Sequence, residues 1–272
     1  MATITSILSE RAAREVHAIL AQFTSGEAEV VRTYFAAPRT RQENLDVLLR
    51  QMGREIQAAS RLPMAADMFV RLERSVERHA FAEYLEHIAE ETEHYVILAD
   101  LAEWVAGRPL AADEARGYEV HARFEPGSPA ALDTNPLLPE ATRMMEVSRA
   151  LVDALGFERG NPVARLTEGG GAGAYIECTR LTGDEFRERL AAAMKRILRD
   201  EIHHGPERVQ GFAETWVRDE ADVETAKHWL IAFMAQHLRV RNEIWNNPVS
   251  PDRLAAIDRG EIAPFDPHME DL

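Results

Sequence analysis

Phe186-Arg-Glu-Arg-Leu190-Ala-Ala-Ala-Met194-Lys-Arg-Ile197-Leu-Arg-Asp200-Glu201-Ile-His-His204 is the stretch on which the reading of this chain turns. Phe186, Leu190, Met194 and Ile197 recur at spacings of three and four, which marks one apolar helix face. The same register next lands on Glu201 and His204. A carboxylate and an imidazole three residues apart point the same way on a helix, here from positions where core residues belong. A buried carboxylate is costly unless a basic side chain, a shared proton or a metal cation compensates it, and this stripe offers neither Lys nor Arg.

About a hundred residues earlier the pattern recurs. Tyr84, Ile88, Glu91, His94, Leu98, Leu101 and Val105 follow one face, so Glu91-Thr-Glu-His94 repeats Glu201-Ile-His-His204. Two such pairs facing one another could hold two metal ions. Carboxylates with imidazoles suit iron or manganese better than calcium or a thiolate-bound metal. The sole cysteine, Cys178, excludes an internal disulfide and a cysteine-based zinc site, and reads as a small buried hydrophobe.

Outward from these motifs nearly everything reads as helix. The first helix covers about 8–36, and Thr40-Arg-Gln-Glu43 is a capping box opening a helix to about Leu62, interrupted by Pro63. An amphipathic stretch from about 65 ends at Gly107 and Pro109, with a break near Arg74 to His79. Residues 108–139 carry five prolines and read as a long connection. Helices resume at about Pro139 to Leu155 and, after Gly160-Asn-Pro162, at about 163–181. Thr182-Gly-Asp-Glu185 is a second capping box, opening a helix that bends at Gly205-Pro206, and a last helix spans about Asp222 to Trp245. The tail from Asn246 reads as irregular, and no period-2 strand is found.

With 272 residues, 46% hydrophobic and 28% charged, the composition is that of a soluble globular protein, read as a single domain over 1–272. No apolar run approaches the ~18 residues of a membrane span. Glu10 and Arg11 precede any apolar block, so no secretory signal is expected and the cytoplasm is the expected compartment. A net charge of -15 argues against nucleic acid as partner. Arg239 and Arg241, the one basic cluster, read as a solvated helix edge.

These residues together resemble the ferritin-like di-iron carboxylate proteins, in which one Glu from each of two helices and a Glu-x-x-His from each of the other two line a four-helix bundle. The resemblance implies an all-α, ferritin-like four-helix bundle with additional N- and C-terminal helices. Its core covers about 43–212, with the crossover at 108–139 and a C-terminal helical extension at 213–272. Glu168 precedes Glu201 by 33 positions, similar to the family's spacing, and Tyr175 follows Glu168 as in its Glu-x6-Tyr pattern. Asp200 before Glu201 is similar to the Asp-Glu-x-x-His of ribonucleotide reductase and the bacterial multicomponent monooxygenases, where that Asp orients a ligating imidazole.

The first half departs from the pattern. The family's spacing before Glu91 falls on Ala58 to Arg61, none of which ligates, so Glu55 is taken as the carboxylate, with Asp67 as the alternative. His87, giving His-x-x-x-Glu-x-x-His, is similar to the extra histidine of some di-iron N-oxygenases and to haem-oxygenase-like di-iron oxidases. It is a possible ligand beside the reading as a polar residue at the bundle edge. His203 and Glu90 read either as neighbours supporting the ligands or as helix-flank polarity. The glycines of Glu168-Gly-Gly-Gly-Ala-Gly-Ala174 either admit a substrate or O2 or permit close packing.

The resemblance implies two iron ions, or one manganese and one iron, held by Glu55, Glu91, His94, Glu168, Glu201 and His204, with Tyr175 and Asp200 behind them. It implies an oxidase or oxygenase that takes O2, a small-molecule substrate and electrons from an external donor, as a homodimer. A ferroxidase or iron store is the alternative function, and a metal-free helical scaffold the third.

Overall fold

The computed structural model describes residues 4–55, 58–118, 122–123, 131–132, 135–167 and 172–265. Among the described residues the fold is all-helical apart from one antiparallel ladder, Ala122–Arg123 (β1) with Ala131–Leu132 (β2), too short for any periodicity to announce it. The helices are α1 Ile4–Phe35, α2 Arg41–Glu55, α3 Ala58–Val70, α4 Arg78–Ala106, α5 Ala112–Arg116, α6 Pro139–Leu155 and α7 Phe157–Arg165. They continue as α8 Ala172–Thr179, α9 Glu185–Thr215, α10 Glu220–Ile244 and α11 Pro251–Asp258. No helix among the described residues is long and apolar enough to cross a membrane.

The chain divides into two compact units. One unit joins residues 1–38 to residues 143–272, and the other is the continuous stretch 39–142.

The continuous unit is built on α2 and α4. Thr40 caps α2 through the expected box: Glu43 Oε2 accepts from Thr40 N at 2.8 Å, and Thr40 Oγ1 accepts from Glu43 N at 3.2 Å. At the far end of α4, Gly107 takes φ 70°, the left-handed conformation that ends a helix, and its N–H donates to the Glu103 carbonyl. The Arg41 guanidinium donates to the carbonyls of Val105 and Trp104, tying the start of α2 to the end of α4. The two helices therefore run antiparallel and bury the apolar residues Leu45, Leu48 and Met52 of α2 and Leu98, Leu101 and Val105 of α4. Gly53 allows the chain beyond α5 to touch α2, because a β-carbon there would overlap the Tyr118 carbonyl oxygen and lie 2.6 Å from its carbon. α3 runs through Pro63, so the interruption expected there does not occur. A proline inside a helix removes one i→i−4 bond without ending the helix when the neighbouring turns persist. Between α3 and α4, Glu73 takes φ 61° in a tight turn closed by Glu73 N donating to the Val76 carbonyl at 2.9 Å.

In the other unit α1 is central and packs on α8, α9 and α10. α10 runs parallel to it: Arg11 meets Glu220 at 2.7 Å, Lys227 meets Glu15 at 2.6 Å, and His237 meets Glu27 at 2.7 Å. α9 runs the other way, its first turn placing Phe186 against Phe35. Gly173 lets α8 touch the α1 backbone, since a β-carbon there would lie 2.8 Å from the Thr24 carbonyl carbon. At Gly173 this is close packing; Gly169, Gly170 and Gly171 of the same run lie outside the described residues. α1 and α10, expected as additions outside a bundle, are thus the core of this unit.

Three helix boundaries differ from expectation for identifiable reasons. Asp184, not Thr182, caps α9, accepting from Arg187 N at 2.9 Å, because Gly183 at φ 106° turns the chain before it. Gly156 at φ 75° ends α6, so α7 begins before Gly160-Asn-Pro162 rather than after it. Ser250 with Pro251 starts α11 in the tail expected to be irregular, the Ser hydroxyl accepting from Arg253 N at 3.2 Å.

Candidate metal centre

Arg41 to Glu55 along α2 spans as many residues as Val105 back to Glu91 along α4. With equal rise per residue and the Arg41–Val105 contact fixing the register, Glu55 comes level with Glu91, and His94 lies one turn further on the same face. One ligand atom from each of Glu55, Glu91 and His94 lies within 4.8 Å of the other two. Glu55 is 6% exposed and His94 1%, and the Glu91 side chain is 12% exposed.

The chemistry of the set fits a divalent cation. Two ionised carboxylates this close repel by on the order of 3 kcal/mol at an effective dielectric constant near 20, and burial adds to that. Three oxygen and nitrogen donors bound to one ion at about 2.1 Å lie roughly 3.0–3.6 Å from one another, so a set already within 4.8 Å need close by at most about 1–2 Å. Two carboxylate oxygens and one imidazole are an oxygen-rich borderline set, suited to iron or manganese. The Gln51 amide donates to the Glu55 carboxylate, which restrains that side chain.

His87 stands beside the cluster. Its Nε2 is 3.6 Å from Glu91 Oε1 and its Nδ1 3.9 Å from Glu90 Oε2, ion-pair rather than hydrogen-bond separations. Asp67 goes elsewhere: its side chain is 62% exposed and it accepts from Arg71 Nη2 at 2.5 Å. Of the two carboxylates considered for this position, Glu55 is the one brought to Glu91.

The later motif lies in the other unit. Asp200 and Glu201 are half-buried on α9. His204 lies on α9 with its side chain outside the described residues, as is that of His203, and Glu168 falls outside the described residues altogether. Tyr175 is half-buried on α8, with the Arg241 guanidinium 4.9 Å from its ring centre.

That arginine belongs to a buried array which the sequence reading did not find. Glu27 on α1 is fully buried; one carboxylate oxygen meets His237 Nδ1 at 2.7 Å and the other accepts from Arg241 Nε at 3.3 Å. Arg241 is 5% exposed, which corrects its reading as a solvated helix edge. Arg239 pairs with Asp258 at 2.6 Å. The signal was available: Glu27 continues the face of Phe23, Val31 and Tyr34, and Arg241 that of Leu230, Met234 and His237. Cys178 is fully buried nearby on α8, and burial pushes its thiol pKa well up while the Arg241 charge pulls the other way.

Comparison with protein-family models, with curated proteins and with solved structures finds no match for this chain.

Proposed function

We propose that this protein is a metal-dependent oxidoreductase of the di-iron carboxylate kind, in which Glu55, Glu91 and His94 hold a metal ion. The observation that carries the reading is the convergence of three ligand atoms, from two helices, within 4.8 Å. The sequence motif alone accounts for only two of them. Iron bound in pairs by carboxylates and imidazoles activates O2 and oxidises organic substrates with electrons from a separate donor. The chain's own part is positional. α4 presents Glu91 and His94 one turn apart, α2 presents Glu55, and the Gln51 amide restrains the Glu55 carboxylate. His87 is placed to hold or release a proton beside Glu91.

The test is metal analysis of the full chain expressed with iron and manganese supplied, and again after anaerobic reconstitution. The expected result is about two ions per chain. Glu91→Ala and Glu55→Ala lower this occupancy, whereas Asp67→Ala leaves it intact. Oxygen uptake with an added reductant should follow the same order. Protein that binds neither metal, or Glu55→Ala and Glu91→Ala variants that bind as well as the parent, would overturn the proposal.

A further inference from the structure

Phe23, Glu27, Val31 and Tyr34 form the buried face of α1, and a polar row runs beside it. Gln22, Ser25, Glu29 and Arg32 recur at spacings of three and four, so they line up along one side of the helix. Each of the four is engaged by the segment 253–265. The Gln22 amide donates to the Ile257 and Asp258 carbonyls at 2.7 and 3.2 Å, and the buried Ser25 hydroxyl accepts from Phe265 N at 2.9 Å. Glu29 accepts from Arg253 Nε and Nη2, both at 2.7 Å, while Arg253 Nη1 donates to the Glu261 carbonyl at 2.6 Å. Residues 259–265 are thereby laid along α1 as a strap.

The strap ends on a seam between two helices. Arg32 of α1 and Arg180, the residue after α8, place their guanidinium carbons 5.8 and 4.8 Å from the centre of the Phe265 ring, within reach of cation–π attraction. Glu177 of α8 serves both cations, with Oε2 3.3 Å from Arg32 Nη1 and 3.6 Å from Arg180 Nη1. Phe265 is thus tied to α1 and α8 at once. α8 has only eight residues, too few for a helix to persist without packing. Tyr175 and the fully buried Cys178 lie one turn apart on it, with the Arg241 guanidinium of the Glu27 array 4.9 Å from the Tyr175 ring centre.

We propose that the strap is a latch: with Phe265 seated, α8 stays closed on α1, and with Phe265 released, α8 opens locally and admits solvent to Cys178 and the Glu27–Arg241 array. The inference uses none of the metal ligands and stands apart from the proposed activity.

Cys178, the sole cysteine, reports the opening. Its rate of reaction with a disulfide reagent is measured on the native full chain and set against the rate of global unfolding, extrapolated from urea. In the parent the two should coincide. Losing both cation–π contacts and the Ser25 hydrogen bond shifts the opening equilibrium about tenfold or more. Cys178 in Phe265→Ala should therefore react about tenfold or more faster than that variant unfolds. Phe265→Tyr keeps the ring and should behave as the parent, whereas Phe265→Leu keeps apolar bulk without a π face and should behave as Phe265→Ala. Amide hydrogen exchange in Phe265→Ala should quicken across α8 and not across α10. A Phe265→Ala variant that labels no faster than it unfolds, a Phe265→Leu variant as slow as Phe265→Tyr, or exchange quickened equally in α8 and α10 would each overturn the proposal.

Discussion

Replacing Gly53 by alanine tests the packing that brings Glu55 to its place. Within a helix this substitution ordinarily stabilises by about 1 kcal/mol, because glycine loses more conformational freedom on folding. At Gly53 the new β-carbon would lie 2.6 Å from the Tyr118 carbonyl carbon, where carbon atoms normally sit about 3.5–4.0 Å apart, so the gap is short by roughly 1 Å. The obstructing atoms are backbone and cannot rotate aside, so α2 or the turn at Tyr118 must move. Overpacking of this kind costs about 1–3 kcal/mol, which cancels or outweighs the propensity gain. Gly211 on α9 is the matched control, since its added β-carbon meets nothing within 4 Å and should show the gain alone. Urea unfolding of the full chain should therefore place Gly211→Ala above the parent and Gly53→Ala at or below it. Because ligands must hold position to within ~0.5 Å, Gly53→Ala should also bind metal about tenfold or more weakly. If Gly53→Ala stabilises as much as Gly211→Ala and leaves metal affinity unchanged, the close contact and the argument built on it are wrong.

Other consequences can be checked on the same preparations. Glu27→Gln removes the charge that Arg241 and His237 share, leaving a guanidinium 5% exposed without its carboxylate; urea unfolding should show a loss of about 3–5 kcal/mol, and a loss below about 1 kcal/mol would exclude the charge role. The Arg218 guanidinium, aided by Arg218 N and Arg159, holds the Asp222 carboxyl below its ordinary value. A carboxyl lowered by folding stabilises above its unfolded pKa, near 4, and loses that contribution as pH falls through the folded value. Asp222→Asn should thus be less stable than the parent at pH 7, with the difference shrinking below about pH 4; a difference that persists unchanged in acid points to packing instead. Cys178, buried with its thiol pKa raised, should react with a disulfide reagent only as fast as the protein unfolds, and rapid labelling under native conditions would contradict its burial.

The elements legible in the sequence were those written in local chemistry. The Thr40 box, the Gly107 stop and the long stripes of α4 and α9 each depend on residues within a turn or two of one another. The end of α6 at Leu155 is legible, whereas the start of α7 is not, because a left-handed Gly156 rather than Gly160-Asn-Pro162 sets it. At the site, Glu91 and His94 could be paired from their spacing alone. Glu55 rested on elimination, since its place depends on the register of two antiparallel helices, which a contact between Arg41 and the end of α4 fixes. The Glu27 array shows the converse. Its members sit on apolar stripes like Glu201, yet Glu27 and His237 are 210 positions apart, and no local pattern links them.

That separation also sets an order in time. The unit containing α1 is assembled from both ends of the chain, with the continuous unit lying between them in sequence. During synthesis at roughly 5–20 residues per second, Glu27 leaves the ribosome on the order of 10–40 seconds before His237 exists to meet it. For the first part of that interval α1 has no α8, α9 or α10 to cover its apolar face, and residues 39–142 are complete before any of the three is made. The nascent chain therefore folds from its middle outward, and its first helix is among the last to be seated.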